Sequence, residues 1–480
     1  MKTLYTNGNF ITMTDQSIDW LLVENKMISD LGKGDRPVSD HIIDLEGKTL
    51  MPGFINAHMH PLPAGMEGTT IPLFECDTLE KVTDMIKRHV KTNDETFLLA
   101  EGYLSMLIDF DNKAFKIFND ISHDHPIAIK YITGHGMIVN QNVMDRLGLN
   151  HYFITGEKMS EANNLFSDQA VDGFIHKVSN EAVSKGFTTL HTLVHGELSD
   201  NRDVATWVAE EKDRQALKVQ VLNFVQTMDV DLVMNYDLPR IGGCVCLDGT
   251  PIEGSAAFTE PYEDGHEAEL YIKDSDLFEM VAKAHRNDMQ CAFHAVGDKA
   301  VHQLIDCYQK VSDIYGKKDL RHRIEHVDLI SDEKLRQAAE LGLVFSVQPG
   351  IGYLYGKGFD KILGKEREKL LNSLRRYKEA GVTLAGGTDS PVTPLDALLG
   401  IHAAVHASSD LRKLSIKEAL EMFTLGGAYA GHEEDLKGSL EIGKQADLVV
   451  LSDDPYEAES IKDISVEMTV VAGELVFKKE

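Results

Sequence analysis

MPGFINAHMH, residues 51–60, is the stretch on which the fold turns. It is apolar up to Ile55 and then sets two histidines two positions apart. In an extended strand His58 and His60 project to the same face, with Cβ atoms about 6–7 Å apart. Two imidazoles at that spacing can close on one divalent ion, with bonds of about 2.0–2.1 Å if it is zinc. Two ordinary histidines at a strand end look the same in isolation, so the surrounding pattern must separate the readings.

Working outward, short β-rich runs recur. Candidate strands are Thr49–Asn56, Thr188–Leu193, Val219–Val225, Gly242–Leu247, Gln290–His294, His322–His326, Val344–Val347 and Val382–Gly386. Helical periodicity lies between many of them, at Ser275–Asn287, Lys299–Tyr308 and Glu333–Leu341, and Ser415 with Glu418 forms a capping box that opens another helix. Strand–helix alternation implies a parallel sheet, and eight strands fit an α/β (β/α)8 TIM barrel, with an open doubly wound sheet as the alternative. One gap breaks the rhythm. Roughly 130 residues separate the first two strands, where a βαβ unit needs about 30. An inserted subdomain at about 62–180 is therefore expected above the barrel mouth, where it would shape the substrate pocket. The two ends, 1–50 and 436–480, are both rich in short strands and turns, and neither is large enough for its own core. They are expected to pair into one composite β-sandwich domain, leaving 51–435 as the barrel and its insertion.

Composition bounds the function. The chain has 480 residues, 48 basic and 77 acidic, a net charge of −29 and 43% apolar residues. That apolar content excludes a disordered chain. The acidic balance, without a basic block, argues against nucleic acid and against an anionic membrane as partners. No uncharged apolar run approaches the length of a membrane span, and Met1–Ile11 carries no signal-peptide core. Five cysteines, odd in number and without a framework spacing, read as free thiols in a reducing cytoplasm. A soluble cytoplasmic protein with a small-molecule substrate is expected, with a homo-oligomer possible.

Further histidines fall at strand ends. His294 closes the fifth strand, His326 the sixth, and Asp389 follows the eighth. Each has a bland reading alone, but four histidines and one aspartate at the carboxyl ends of separate parallel strands point to a divalent metal, one or two ions per chain. Such an ion lowers the pKa of a nearby water, whose proton a carboxylate can take.

The chain resembles the amidohydrolase superfamily, and within it the amidohydrolase-3 branch that includes N-substituted formamide deformylase-like enzymes. MPGFINAHMH (51–60), GHGMIVN (134–140), GFTTLH (186–191), DGT (248–250), EPYEDG (260–265), FHAVGDKA (293–300), RIEH (323–326), GGTDSPV (386–392) and GSLEIGKQADLVVLSDDP (438–455) carry the resemblance. It implies that His58, His60 and Asp389 bind the more buried metal and His294 and His326 a more exposed one. Asp389 would be the general base for a metal-activated water attacking a non-peptide C–N bond. It also implies an imperfect barrel with a small β-sandwich.

One position departs from that pattern. The family usually has a carboxylated Lys, bridging the metals, four residues before the Asp-Gly of the fourth strand. Counting back four from Asp248 reaches Cys244. Three readings stand: Cys244 as a thiolate ligand or bridge, which zinc accepts at about 2.3 Å; a one-metal site; or a small buried residue in a degenerate site. Cys246, two positions on, is the second choice for the ligand. His135 and Gln348 are expected at the substrate pocket, although the histidine that often follows this Gln-Pro in the family is absent. Hydrolytic deamination and a non-catalytic binding or regulatory protein remain the competing functions. The sequence offers no HxxE after the fifth strand for the first, and the retained histidines and Asp389 argue against the second.

Overall fold

A computed structural model describes residues 1–92, 97–103, 111–131, 136–214 and 216–480. The chain forms two compact units, one of Met1–His60, Ser179–Leu193 and Trp207–Glu480, the other of Pro61–Val178 and Val194–Thr206. Among the described residues no helix is long and apolar enough to cross a membrane.

The first unit holds an eight-stranded sheet whose strands neighbour one another in chain order. We number them β1 (Phe54–Met59), β2 (Phe187–Val194), β3 (Gln220–Val225), β4 (Arg240–Ile241), β5 (Gln290–Ala295), β6 (Arg323–His326), β7 (Val344–Val347) and β8 (Thr383–Gly386). The pairing is parallel, and a bridge between Met59 and Ser390 brings β8 back to β1. This is an imperfect (β/α)8 barrel. Every residue of β1, β2, β5, β6 and β7 is buried, as expected of strands covered on one face by helices and filled on the other by barrel-interior side chains. The helices at Asp274–Arg286, Asp298–Tyr315 and Asp332–Leu341 fall where apolar periodicity puts them, and the Ser415–Glu418 capping box is formed at the head of Ile416–Met422.

Two expected strands differ. Thr49–Asn56 is divided at Gly53: Thr49–Pro52 pairs with Leu448–Leu451 and Asn9–Phe10, while Phe54–Met59 enters the barrel. Gly53 sits so close to β2 that a Cβ there would lie 2.1 Å from Thr188 Cγ2. The continuous apolar run conceals this change of sheet, because both halves are buried. Gly242–Leu247 is no regular strand either. Gly242 and Gly243 take φ of 97° and 59°, left-handed values open chiefly to glycine. Pairing stops at Ile241 and resumes only as a bridge between Cys246 and His294.

The two chain ends meet in two further sheets. One has the order Met27–Gly32, Trp20–Glu24, Lys2–Thr6, His41–Asp44; the other Asn9–Phe10, Thr49–Pro52, Leu448–Leu451, Val466–Val471, Glu474–Lys478. Tyr5, Leu21, Val23 and Ile28 pack with Leu448, Val450, Met468 and Val470 in one core, which makes a β-sandwich from both ends.

The second unit, inserted after β1, has its own five-stranded sheet, ordered Phe153–Ile154, Met137–Val139, Ile127–Tyr131, Leu98–Tyr103, Ile71–Pro72. Val82 and Ile86 of the helix Leu79–Thr92 pack against Leu98, Ala100, Ile127 and Ile129.

Candidate metal centre

Period-two alternation carries His58 and His60 to one side at the exit of β1. The chain beyond β8 is fixed against them by backbone bonds from Asp389 N to His58 O (2.8 Å) and from His60 N to Ser390 O (2.9 Å). Asn56 splints the same junction, accepting from Thr388 N at 3.0 Å and donating to Thr388 Oγ1 at 2.7 Å. Asp389 Oδ1 then stands 3.3 Å from His58 Nε2 and 3.2 Å from His60 Nε2. His294 comes from within β5. His326 has the wrong parity to share a face with Glu325 in a regular strand, but the strand ends there with φ of 76°, and its ring lies 4.8 Å from that of His58 and 4.4 Å from that of His294. Val327 and Asp389 also have positive φ, 53° and 56°. Such conformations cost of order 1–3 kcal/mol each and gather where geometry serves a site.

The turn at Gly242-Gly243 delivers Cys244 among these histidines. Its Sγ is 3.6 Å from His294 Nδ1 and 3.6 Å from His326 Nε2. Among the described residues, three trios have ligand atoms all within 4.8 Å of one another: His58, His60 and Cys244; Cys244, His294 and His326; His58, His326 and Asp389. Cys246 is exposed, its Sγ donating to Cys244 O at 3.4 Å, and is in none of the trios.

Each buried histidine has its second nitrogen committed. His58 Nδ1 donates to Glu325 Oε2 (2.6 Å), His294 Nε2 to Gly249 O (3.2 Å) and His326 Nδ1 to Gln348 Oε1 (2.8 Å). The opposite nitrogens face the cluster, the arrangement of metal-ligating imidazoles. His58 Nε2 and Asp389 Oδ1 are buried with no hydrogen-bond partner, which leaves room in the bonding for a cation. The field agrees. Burial opposes a charge on His58, yet the carboxylates of Asp389 and Glu325 outweigh it and raise its pKa to about 9. Burial likewise opposes the Asp389 carboxylate, but His58 and His60 hold it well below its ordinary range. Burial drives His294 down to about 4 and holds His326 well below the ordinary imidazole range, so both rings are neutral. The Cys246 thiol and burial raise Cys244 well above an ordinary thiol, so metal binding there would release its proton. The donor set fits one or two divalent ions.

His58, His60, Cys244, His294, His326 and Asp389 are therefore brought together. Gln348, expected at the substrate pocket, is buried beside His326, accepting from its Nδ1 and donating its amide to Ser346 O. His135 lies outside the described residues. The sequence reading did not assign Glu325 and Arg323, although two charges alternating in a fully buried strand were available as a signal.

The amidohydrolase family profile matches residues 41–477, and the chain belongs to that family. It is 24% identical over its whole length to the whole of the amidohydrolase-type protein YtcJ of Bacillus subtilis (strain 168). It is 24% identical to the N-substituted formamide deformylase of Arthrobacter pascens, over 91% of this chain and 90% of that one. The structure of an uncharacterized metal-dependent hydrolase from Pyrococcus horikoshii OT3 superposes with a TM-score of 0.80 at 22% identity, covering 96% and 99% of the two chains.

Proposed function

We propose that the protein is a metal-dependent amidohydrolase that cleaves a non-peptide carbon–nitrogen bond of a small molecule. The observation that carries this reading is the place of Cys244, within reach of both the His58–His60 pair and the His294–His326 pair, with Asp389 beside the first. His58, His60 and Asp389 would hold one ion and His294 and His326 another, with Cys244 common to both; a thiolate favours zinc. Such ions polarise a carbonyl and lower the pKa of water. Asp389, ionised and buried, is placed to take the water's proton and to return it to the leaving nitrogen. The likeness to a formamide deformylase makes N-substituted formamides the first substrates to try.

Elemental analysis of wild type and Cys244→Ala tests the reading, together with hydrolysis of an N-aryl formamide panel. Wild type is expected to hold about two zinc ions per chain and the variant about one or none, with at least a ~100-fold loss of rate. Equal metal in both would remove Cys244 from the ligands. No metal in wild type after loading would overturn the reading, and ammonia released from an amino-substituted heterocycle, with the formamides left intact, would redirect it to deamination.

A further inference from the structure

Three side chains in the motifs quoted above, His191 of GFTTLH and Arg323 and Glu325 of RIEH, have no part in the chemistry just described. They are fully buried and joined in a line. Glu325 Oε2 accepts from His58 Nδ1 at 2.6 Å. Arg323 grips both oxygens of Glu325, Nε to Oε1 and a terminal nitrogen to Oε2, each at 2.8 Å. The same terminal nitrogen donates to Ala57 O at 2.6 Å, and the other donates to His191 Nδ1 at 3.0 Å. The side chains of His58, Glu325 and Arg323 are 0% exposed. Phe224 lies under the guanidinium, 4.3 Å from its ring centre.

We propose that Glu325 is a positioning residue for the metal centre: it holds a proton of His58 on Nδ1 and so turns Nε2 toward Asp389, where a bound metal would take its lone pair. The inference rests on the metal-centre reading. A buried carboxylate survives only when paired and fully hydrogen-bonded. Arg323 supplies that pairing and also ties down the carbonyl preceding His58, so the ring and the backbone of the ligand are fixed by one guanidinium. His191, kept neutral by burial and by Arg323 itself, accepts one N–H of the second terminal nitrogen without adding charge. A structural ion pair would need none of these bonds to end on a metal ligand.

The test measures zinc affinity by chelator competition, with thermal melting, for wild type, Glu325→Gln and Glu325→Asp. A glutamine can turn either its oxygen or its NH2 to Nδ1 and loses the second anchor for Arg323. A carboxylate that accepts from the outer nitrogen of a metal-ligating histidine is worth about 10–100-fold in metal affinity. Folded Glu325→Gln is expected to bind its tightest zinc weaker by that factor. Glu325→Asp, which keeps the charge for Arg323 but draws the oxygen back, should fall between the two and also serves if Glu325→Gln does not fold. In the Co2+-loaded proteins the thiolate charge-transfer band of Cys244 should persist, since its neighbours His294 and His326 do not touch Glu325. Zinc affinity within twofold of wild type in either folded variant would overturn the inference and leave the metal centre standing. Wild type that takes up no zinc would overturn both.

Discussion

Asp389 faces two imidazoles with one oxygen and has no hydrogen bond to that oxygen. An isosteric amide would keep the shape and lose the charge. Asp389→Asn is expected to lower hydrolysis by about 10²–10⁴-fold, the usual worth of a general acid–base group, while the fold, followed by circular dichroism, stays intact. A variant retaining more than a tenth of wild-type activity would place the base elsewhere. At this scale the sequence was most informative where a residue type is rare in its setting. His58, His60, His294, His326 and Asp389 stand at strand ends, and counting back from Asp248 leads to Cys244. Gln348 marks the limit at this scale: a residue at a strand end can face the pocket or stand behind a neighbouring histidine, and periodicity does not separate the two. The His58–Glu325–Arg323–His191 line was hidden for a related reason: its members come from β1, β6 and β2, and only barrel closure makes them neighbours.

β1 shows what limits the reading of elements. Its apolar run was legible, but the passage from sandwich to barrel inside that run was not, since hydrophobicity is equal on both sides of Gly53. The backbone marks the change instead: Gly53 N donates to Asp447 O and Phe54 N to Gly186 O, each at 2.9 Å. Gly53→Ala would drive a methyl into Thr188, which is fully buried. Overpacking of this kind costs about 1–3 kcal/mol, seen as a lower urea midpoint, and Thr188→Ala in the same chain should restore part of it. An unchanged midpoint in the single variant would show that β1 and β2 can separate there at little cost. The β4 region was over-read for the opposite reason. Val245, Cys246 and Leu247 look like strand, but two left-handed glycines precede them, and that turn is what lifts Cys244 into the cluster.

For the whole molecule, element order narrowed the choice to a barrel or an open doubly wound sheet, because consecutive parallel strands have few topologies open to them. The candidate ligands come from β1, the β4 turn, β5, β6 and the chain after β8, so an ion held there would bind only the closed barrel. Anything that binds the native state alone stabilises it, by about 2.7 kcal/mol at a hundredfold excess over Kd. Chelation is therefore expected to lower the melting temperature of wild type and restored zinc to recover it, whereas no shift in either direction would mean that the ion does not clasp the barrel. The long reach of these contacts also sets a timetable for the newborn chain. Asn56 meets Thr388 across 332 positions, and Asn9 meets Asp454 across 445. At about 5–20 residues per second on the ribosome, His58 and His60 emerge many seconds before Asp389, and the first sandwich strands wait longer still for theirs. During that interval an exposed pair of imidazoles must be kept from the wrong ion, so the choice of metal is expected to be made only once the chain through Asp389 has joined them.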